Sequence, residues 1–330
     1  MTDIRPFLAK IRRSIAAHRT AAADGYRRKL SDSSASADLY GTANAVILLY
    51  TINELPAFGT DEHLAFVSSL QQFQDPHTGL FNGIGHHPLH GTAFAISALE
   101  LLDSKPLYPL TDLQELKDKA ALYEFLAGLN WVREPWAESH KGAGLYAAMV
   151  LAGEVDAAWE DAYFNWLHEE TDPATGLWRK QAMHTVASAP LFHHLASSFH
   201  YLFNLNYRNR KMRYPDAWID TCLQLNNAGE IPLKADALSF VELDVLYTLI
   251  CAASQTEHRA AELQAMIHAI CHHLLNSVES LSGGPDDDVF EDIHELCGTT
   301  CALALVQSVM SGQIVSGRIL QKVLDRRPFI

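Results

Sequence analysis

Titratable side chains recur at one position of a repeated segment in this sequence. Tyr40, His90 and Cys297 each stand directly before a Gly-Thr pair that leads into an apolar run. A weaker copy around Gly144 puts Ala143 at the same position. Imidazole titrates near neutral pH and serves as a general acid or base. The recurrence therefore predicts that distant parts of the chain supply proton-transferring groups to one site.

The candidate catalytic groups are two histidines and two carboxylates, His90, His200, Asp244 and Glu242. Both acids lie in the apolar run 240–247, where desolvation would raise a carboxyl pKa toward the range of a general acid. Residues two apart on a helix point about 200° from each other, so only one can face a central site, and we favour Asp244. The competing interpretations are a helix cap or salt bridge for the acids and a hydrogen-bonded core position for each histidine.

The candidate substrate-binding residues are polar or aromatic groups near these positions. Aromatic faces in loops suit sugar rings, and a guanidinium suits a carboxylate or phosphate. The residues assigned this role are Tyr40, His87, His194, Trp131, Trp178 and Arg179.

Two metal sites are conceivable, although we predict no cofactor. Cys297, His294, His90 and Asp244 would form a mixed zinc site, but the cysteines at 297 and 301 equally suit small packing positions. The acidic stretch 285–292 contains Asp-Asp-x-x-Glu at 287–291, the pattern of a magnesium-diphosphate site, and it also suits an N-capping loop.

The elements that position these residues follow from the spacing of the repeat. Its glycines stand at 41, 91, 144 and 298, so the gaps are 50, 53 and 154, and the last is three steps of about 51. Six repeats follow. Each repeat pairs an amphipathic segment with one that is apolar nearly all round, which predicts helices facing solvent around helices buried on both sides.

We therefore predict an all-α fold, an (α/α)6 toroid forming a single domain over 1–330. Residues 1–30 would be an N-terminal outer helix, over 5–27, followed by six helical hairpins in 31–330. The inner N-termini would open on a central funnel. The other outer helices are predicted near 61–74, 111–129, 157–169, 215–227, 257–278 and 314–326, and the inner helices near 37–53, 89–103, 141–153, 193–206, 237–253 and 292–310.

Two loops and the repeats resemble a known superfamily, the α/α toroids. The turn Asp-Pro-x-Thr-Gly-Leu-Phe/Trp at 75–81 and 172–178 is similar to turns of (α/α)6 glycoside hydrolases and sugar epimerases. Tyr40-Gly41-Thr42 and the stretch 71–81 resemble repeats of squalene cyclases and prenyltransferases. The likeness spans residues 37–310 and implies a site at the funnel mouth and two substrate classes.

The leading functional hypothesis is a carbohydrate-active enzyme, a hydrolase, lyase or epimerase that binds a small molecule or oligosaccharide in the funnel. An isoprenoid cyclase or transferase, dependent on zinc or magnesium, and a non-catalytic helical scaffold are the alternatives. The formal charge of −14 argues against a nucleic-acid partner. The absence of a long apolar run predicts no membrane span, and five cysteines suggest reduced thiols in the cytoplasm. The oligomeric state stays open.

Overall fold

The structure is a computed structural model that describes residues 1–32, 36–83, 87–283, 285 and 288–330. These residues are predominantly helical. Two short strands, β1 (Thr2–Asp3) and β2 (Ile314–Val315), pair in parallel. Short 3₁₀ helices cover Thr111–Lys117, Ala182–His184 and Val323–Asp325. The α-helices are α1 (Arg5–His18), α2 (Leu39–Thr51), α3 (Asp61–Gln71), α4 (Pro88–Leu101), α5 (Lys119–Gly128), α6 (Pro135–Leu151), α7 (Ala157–Glu169), α8 (Leu191–Tyr207), α9 (Pro215–Ala228), α10 (Val241–Ala253), α11 (Ala260–Leu281) and α12 (Ile293–Val309).

Even-numbered and odd-numbered helices differ in burial. In α4 every residue from Leu89 to Leu99 is buried, whereas α3 buries only His63, Phe66, Val67 and Leu70. A helix without a polar face must have neighbours on all sides, and one with a polar face borders water. The predicted division into apolar and amphipathic helices is therefore found in the structure.

The even-numbered helices form a closed circuit of contacts. Along the chain, α2 contacts α4, α4 contacts α6, and the series continues through α8 and α10 to α12, which contacts α2. Of the odd-numbered helices, α3, α9 and α11 each contact two neighbours in this circuit, and α1 contacts α2, α11 and α12. The helix α7 packs on α6 through the rings of Tyr163 and Tyr146, and α5 contacts α7. Residues separated by most of the chain are thereby brought to one centre.

The two Asp-Pro turns hold the entries to α4 and α8 in the same way. Asp75 accepts backbone hydrogen bonds from His77 and Thr78 at 2.7 and 3.1 Å, and Gly79 takes the left-handed conformation at φ +76°. The backbone N–H of Phe81 then donates to Thr92 Oγ1 on α4 at 2.9 Å. The turn at 172–178 repeats these bonds, so each turn ends in a buried aromatic residue that fixes the next even-numbered helix.

The last outer helix was predicted wrongly. Residues 314–326 contain β2 and a 3₁₀ helix, and α1 instead is the sixth odd-numbered helix, ending at His18 rather than near residue 27. The following residues turn inward, and the side chains of Arg327 and Phe329 are 0% exposed. An amphipathic pattern does not distinguish a helix on the outside from an irregular segment that inserts its apolar residues into the centre.

One buried apolar cluster runs from Ile4 to Ile330. All five cysteines are free and buried. Within the ranges that the structure describes, none of the helices combines the length and apolarity that crossing a bilayer requires.

Candidate functional site

Each even-numbered helix brings one titratable side chain to the same region of the circuit. Four of these residues lie within the first four positions of their helices, and those on α6 and α8 lie deeper because these two helices begin earlier. The six are Tyr40, His90, His140, His200, Asp244 and His294. A cavity of about 160 Å³, which we call the central cavity, is lined by His90, Trp136, His140, Phe199, His200, Phe240, Asp244, His294 and Ile330.

Three histidine rings pack in a row along one side of the central cavity, with adjacent ring planes inclined by 59° and 74°. The ring of His140 lies 4.6 Å from that of His90 and 4.6 Å from that of His200, measured between centroids. At the end of the row, the hydroxyl of Tyr40 and Nδ1 of His90 are 2.5 Å apart. Burial raises the pKa of Tyr40, so the phenol keeps its proton at neutral pH.

Hydrogen bonding fixes the tautomer of His200. Ser139 Oγ lies 2.9 Å from His200 Nδ1 and donates its single hydrogen to the carbonyl of Trp136 at 2.6 Å. His200 Nδ1 must therefore carry the hydrogen that Ser139 accepts. Burial and the neighbouring His140 place the pKa of His200 well below its usual value, so the ring is neutral at pH 7 and Nε2 is left as a proton acceptor.

The pKa of the Asp244 carboxyl is shifted in the direction opposite to that of His200. Its side chain is 5% exposed, and burial together with the nearby Glu242 raises its pKa well above the usual value. Such surroundings favour the protonated form of the carboxyl, which can donate. Glu242 lies on the other side of α10, where its Oε1 is 3.6 Å from His273 Nε2 on α11, and it does not line the central cavity.

The predicted aromatic binding residues lie in the core instead of at a mouth. Trp178 is 1% exposed, and its indole N–H donates to the carbonyl of Leu167. Trp131 is buried against Trp166 and Tyr201. Both rings are covered by protein on their faces, so neither is available to stack on a sugar. Trp136 is the tryptophan that lines the central cavity.

The remaining predicted binding residues also lie outside the central cavity. Arg179 pairs with Glu170 at 3.1 Å and lies in a separate groove. His87 caps α4 by accepting from the N–H of Leu89. His194 is 0% exposed and its Nε2 lies 2.8 Å from Ser188 Oγ. These contacts indicate structural roles.

The stability of the fold depends on pH because His194 is buried in its neutral form. Burial, with help from His193 and His184, lowers its pKa to about 4. The unfolded chain takes up this proton below the ordinary histidine pKa of 6.5, whereas the folded chain resists it down to about pH 4, so stability present above pH 6.5 is lost as the pH falls through this window. Between pH 7.5 and 4.5 the loss due to His194 is about 2.5 kcal/mol.

Urea unfolding of wild type and His194→Gln at both pH values measures this loss. The variant should lose about 2.5 kcal/mol less than wild type on acidification. The exposed His268 on α11 supplies the control, His268→Gln, which should behave like wild type. Equal acid sensitivity of wild type and His194→Gln would show that His194 titrates normally.

The proposed metal ligands do not come together as a set. His90, Asp244 and His294 line the central cavity, but Cys297 is fully buried beside Cys301. In the described part of the chain no group of three or more histidine, cysteine or acidic side chains is placed to hold a metal ion. Of the acidic stretch, Asp286 and Asp287 lie outside the described residues, and Asp288 pairs with Lys10 at 2.5 Å.

His140 was missed from the sequence. The weaker copy was aligned on Gly144, which placed Ala143 at the site, but α6 begins at Pro135 and its site residue comes four positions before the glycine. Counting 50 residues from Tyr40 reaches His90, and 50 more reaches His140. This interval of 50 residues is the sequence signal that could have identified His140.

Comparisons of the chain with family models, curated proteins and solved structures found no significant match, so its function has to be inferred from the geometry of the central cavity.

Proposed function

We propose that this protein is an enzyme that moves a proton on carbon within a small polyhydroxy substrate, as a sugar epimerase, isomerase or lyase does. The observation that carries the proposal is the pairing of two oppositely tuned groups in one cavity. His200 is neutral with a basic Nε2, and Asp244 is a protonated acid. Groups whose surroundings push their pKa values apart in this way suit the base and the acid of one reaction.

The proposed step uses both groups. His200 Nε2 takes the proton from a carbon next to a carbonyl, and the electron pair of the broken C–H bond moves onto the carbonyl oxygen. Asp244 then gives its proton to the same carbon from the opposite face while the carbonyl re-forms, which inverts that centre. The resulting imidazolium and carboxylate return to their starting states by exchange with water.

The proposed architecture is the (α/α)6 toroid, with the even-numbered helices inside and the odd-numbered helices outside. The closed circuit of contacts from α2 to α12 supports it, as does the burial of the even-numbered helices on all sides. A ring also accounts for the meeting of residues 40 and 294 at one cavity wall, where their aromatic rings are 5.9 Å apart.

The lining of the central cavity favours proton transfer over glycoside hydrolysis. Hydrolases of this kind use two carboxyl groups at a defined separation. Among the described lining residues Asp244 is the one carboxylate. Two further acidic residues at the starts of even-numbered helices, Asp38 and Asp292, cap α2 and α12 and both bind Arg28.

The size and character of the central cavity limit the substrate. At about 160 Å³ it resembles cavities of about 150 Å³ that hold one benzene molecule, so it suits a small molecule or a single sugar unit and not an oligosaccharide. Trp136, Phe199 and Phe240 offer aromatic faces to C–H groups. The described lining contains no lysine or arginine to bind a diphosphate, which weighs against an isoprenoid diphosphate.

We place the reaction in the cytoplasm because five free, buried thiols suit a reducing compartment. The proposed proton transfer requires no cofactor. A non-catalytic binding scaffold is the competing proposal. The two are separated by whether the protein catalyses hydrogen exchange at carbon.

Hydrogen exchange at carbon provides the test. The protein is incubated in D₂O with a panel of aldoses, ketoses and sugar acids, and proton NMR follows deuterium incorporation at each carbon. We expect incorporation next to the carbonyl of at least one compound, since abstraction at carbon must precede epimerisation, isomerisation or elimination. No incorporation in any compound, together with unchanged histidine resonances on adding them, would contradict the proposal.

A further inference from the structure

The interior of the ring contains a guanidinium without a partner. The side chain of Arg327 is 0% exposed, and its Nε, Nη1 and Nη2 make no hydrogen bond to any described residue. Burial lowers the pKa of Arg327 only to about 10, so the group is charged at neutral pH. An isolated buried charge is strongly unfavourable, and five N–H donors without acceptors add to the cost.

The described surroundings of Arg327 provide no hydrogen-bonded counter-ion. The ionisable groups whose charges act on the pKa of Arg327 are Cys297 and Cys301 on α12 and Tyr50 on α2. A tyrosine and two thiols are weak acids, unlike the carboxylates that pair with most other arginines here. Burial raises the pKa of Cys297 well above its usual value, whereas at Cys301 the effect of burial is outweighed by hydrogen bonds with Cys297 and Thr51, which lower the pKa of that thiol. Neither sulfur is hydrogen-bonded to the guanidinium of Arg327.

Two buried hydroxyl groups on even-numbered helices also lack a hydrogen-bond partner among the described residues. Ser97 follows His90 by seven residues, and Cys301 follows His294 by seven, so both lie about 10 Å along their helices from the central cavity and on its side. Thr248 follows Asp244 by four residues on α10. The hydroxyls of Ser97 and Thr248 are fully buried, and within the described part of the chain neither has a hydrogen-bond partner.

We propose that the interior beside Arg327 is a binding site for a small oxyanion such as phosphate, sulfate or bicarbonate. The planar guanidinium matches two oxygens of an oxyanion, and the hydroxyls of Ser97 and Thr248 supply further donors. The ion neutralises the buried charge and holds residues 326–330 inside the ring, beneath the central cavity. This inference is independent of the proposed reaction.

Anion-dependent stability tests the proposal. Because Arg327 is sealed from solvent, the protein is refolded from urea in phosphate, in sulfate or in chloride at equal ionic strength before thermal unfolding. At 100 times the dissociation constant, an oxyanion should raise Tm by roughly 5 °C over chloride. Arg327→Met should abolish this rise, and Arg326→Met, which alters the neighbouring surface arginine paired with Asp103, should keep it.

Two further measurements decide the case if Arg327→Met does not fold. Ion chromatography of dialysed, denatured wild type should detect about one oxyanion per chain. Thr248→Val, which removes one donor and no charge, should shift the oxyanion response to higher concentrations. Equal Tm in all three salts with no released oxyanion would overturn the proposal, and so would an unchanged response in Arg327→Met.

Discussion

Replacing His200 with glutamine should slow carbon-hydrogen exchange on the reactive compound by roughly 10²–10⁴-fold, the usual contribution of a positioned general base. Glutamine can keep a hydrogen bond to Ser139 but cannot accept a proton from carbon. Asp244→Asn should cause a loss of similar size because the amide cannot deliver a proton. The measurement is the rate of deuterium incorporation by NMR.

Matched substitutions outside the central cavity control for these two variants. His268→Gln on α11 and Glu295→Gln on α12 make the same chemical changes at exposed positions and should keep the wild-type rate. If His200→Gln and Asp244→Asn exchange as fast as these controls, neither residue takes part in the reaction.

The pH dependence of the deuterium-incorporation rate follows from the pKa shifts of His200 and Asp244. The base must be neutral, so activity should rise as the pH increases through the lowered pKa of His200. The acid must be protonated, so activity should fall as the pH increases through the raised pKa of Asp244. The result is a plateau around neutral pH, and Asp244→Asn should remove the decline on the alkaline side from whatever activity remains.

Gly41→Ala should destabilise the fold by about 3 kcal/mol, while the equivalent Gly91→Ala should stay within about 1 kcal/mol of wild type. A Cβ at Gly41 would lie 2.3 Å from the backbone carbon of Arg27 and 2.4 Å from the carbonyl oxygen of Tyr26. That segment cannot move away freely, because Asp38 binds it through two hydrogen bonds.

The equivalent Cβ at Gly91 meets its nearest atoms at 3.4 Å, which is ordinary contact. Urea unfolding of both variants measures the difference, and alanine's better helix propensity favours both equally. Equal destabilisation by the two substitutions would mean that the 26–28 segment does not lie against α2 as described.

Much of the fold could be predicted from the sequence because its signals are local. The apolar helices were recognisable from runs of small and aliphatic residues, and the turns from Asp, Pro and Gly at fixed positions. The path of residues 314–330 could not be predicted, since apolar residues such as Val323 and Leu324 fit either an outer helix or a segment inserted into the centre.

The candidate site was predictable only in part. Tyr40 and His90 stand directly before the repeat glycine, so the phase of the repeat predicted their common location. The same phase pointed to Cys297, whereas His294, three residues earlier, is the residue of α12 that lines the central cavity. His140 was missed because α6 begins earlier than its repeat glycine suggests. Trp131 and Trp178 were misplaced because a tryptophan near a loop carries no sign of whether it turns inward, and here both donate to backbone carbonyls in the core.

The convergence of distant histidines on one cavity is tested most directly by nuclear Overhauser effects between imidazole protons in protein labelled only on histidine. We expect cross-peaks from His140 to both His90 and His200, since these ring centroids are 4.6 Å apart, with assignments from single His→Gln variants. Assigned resonances without cross-peaks between these three rings would contradict the central cavity and the function proposed for it.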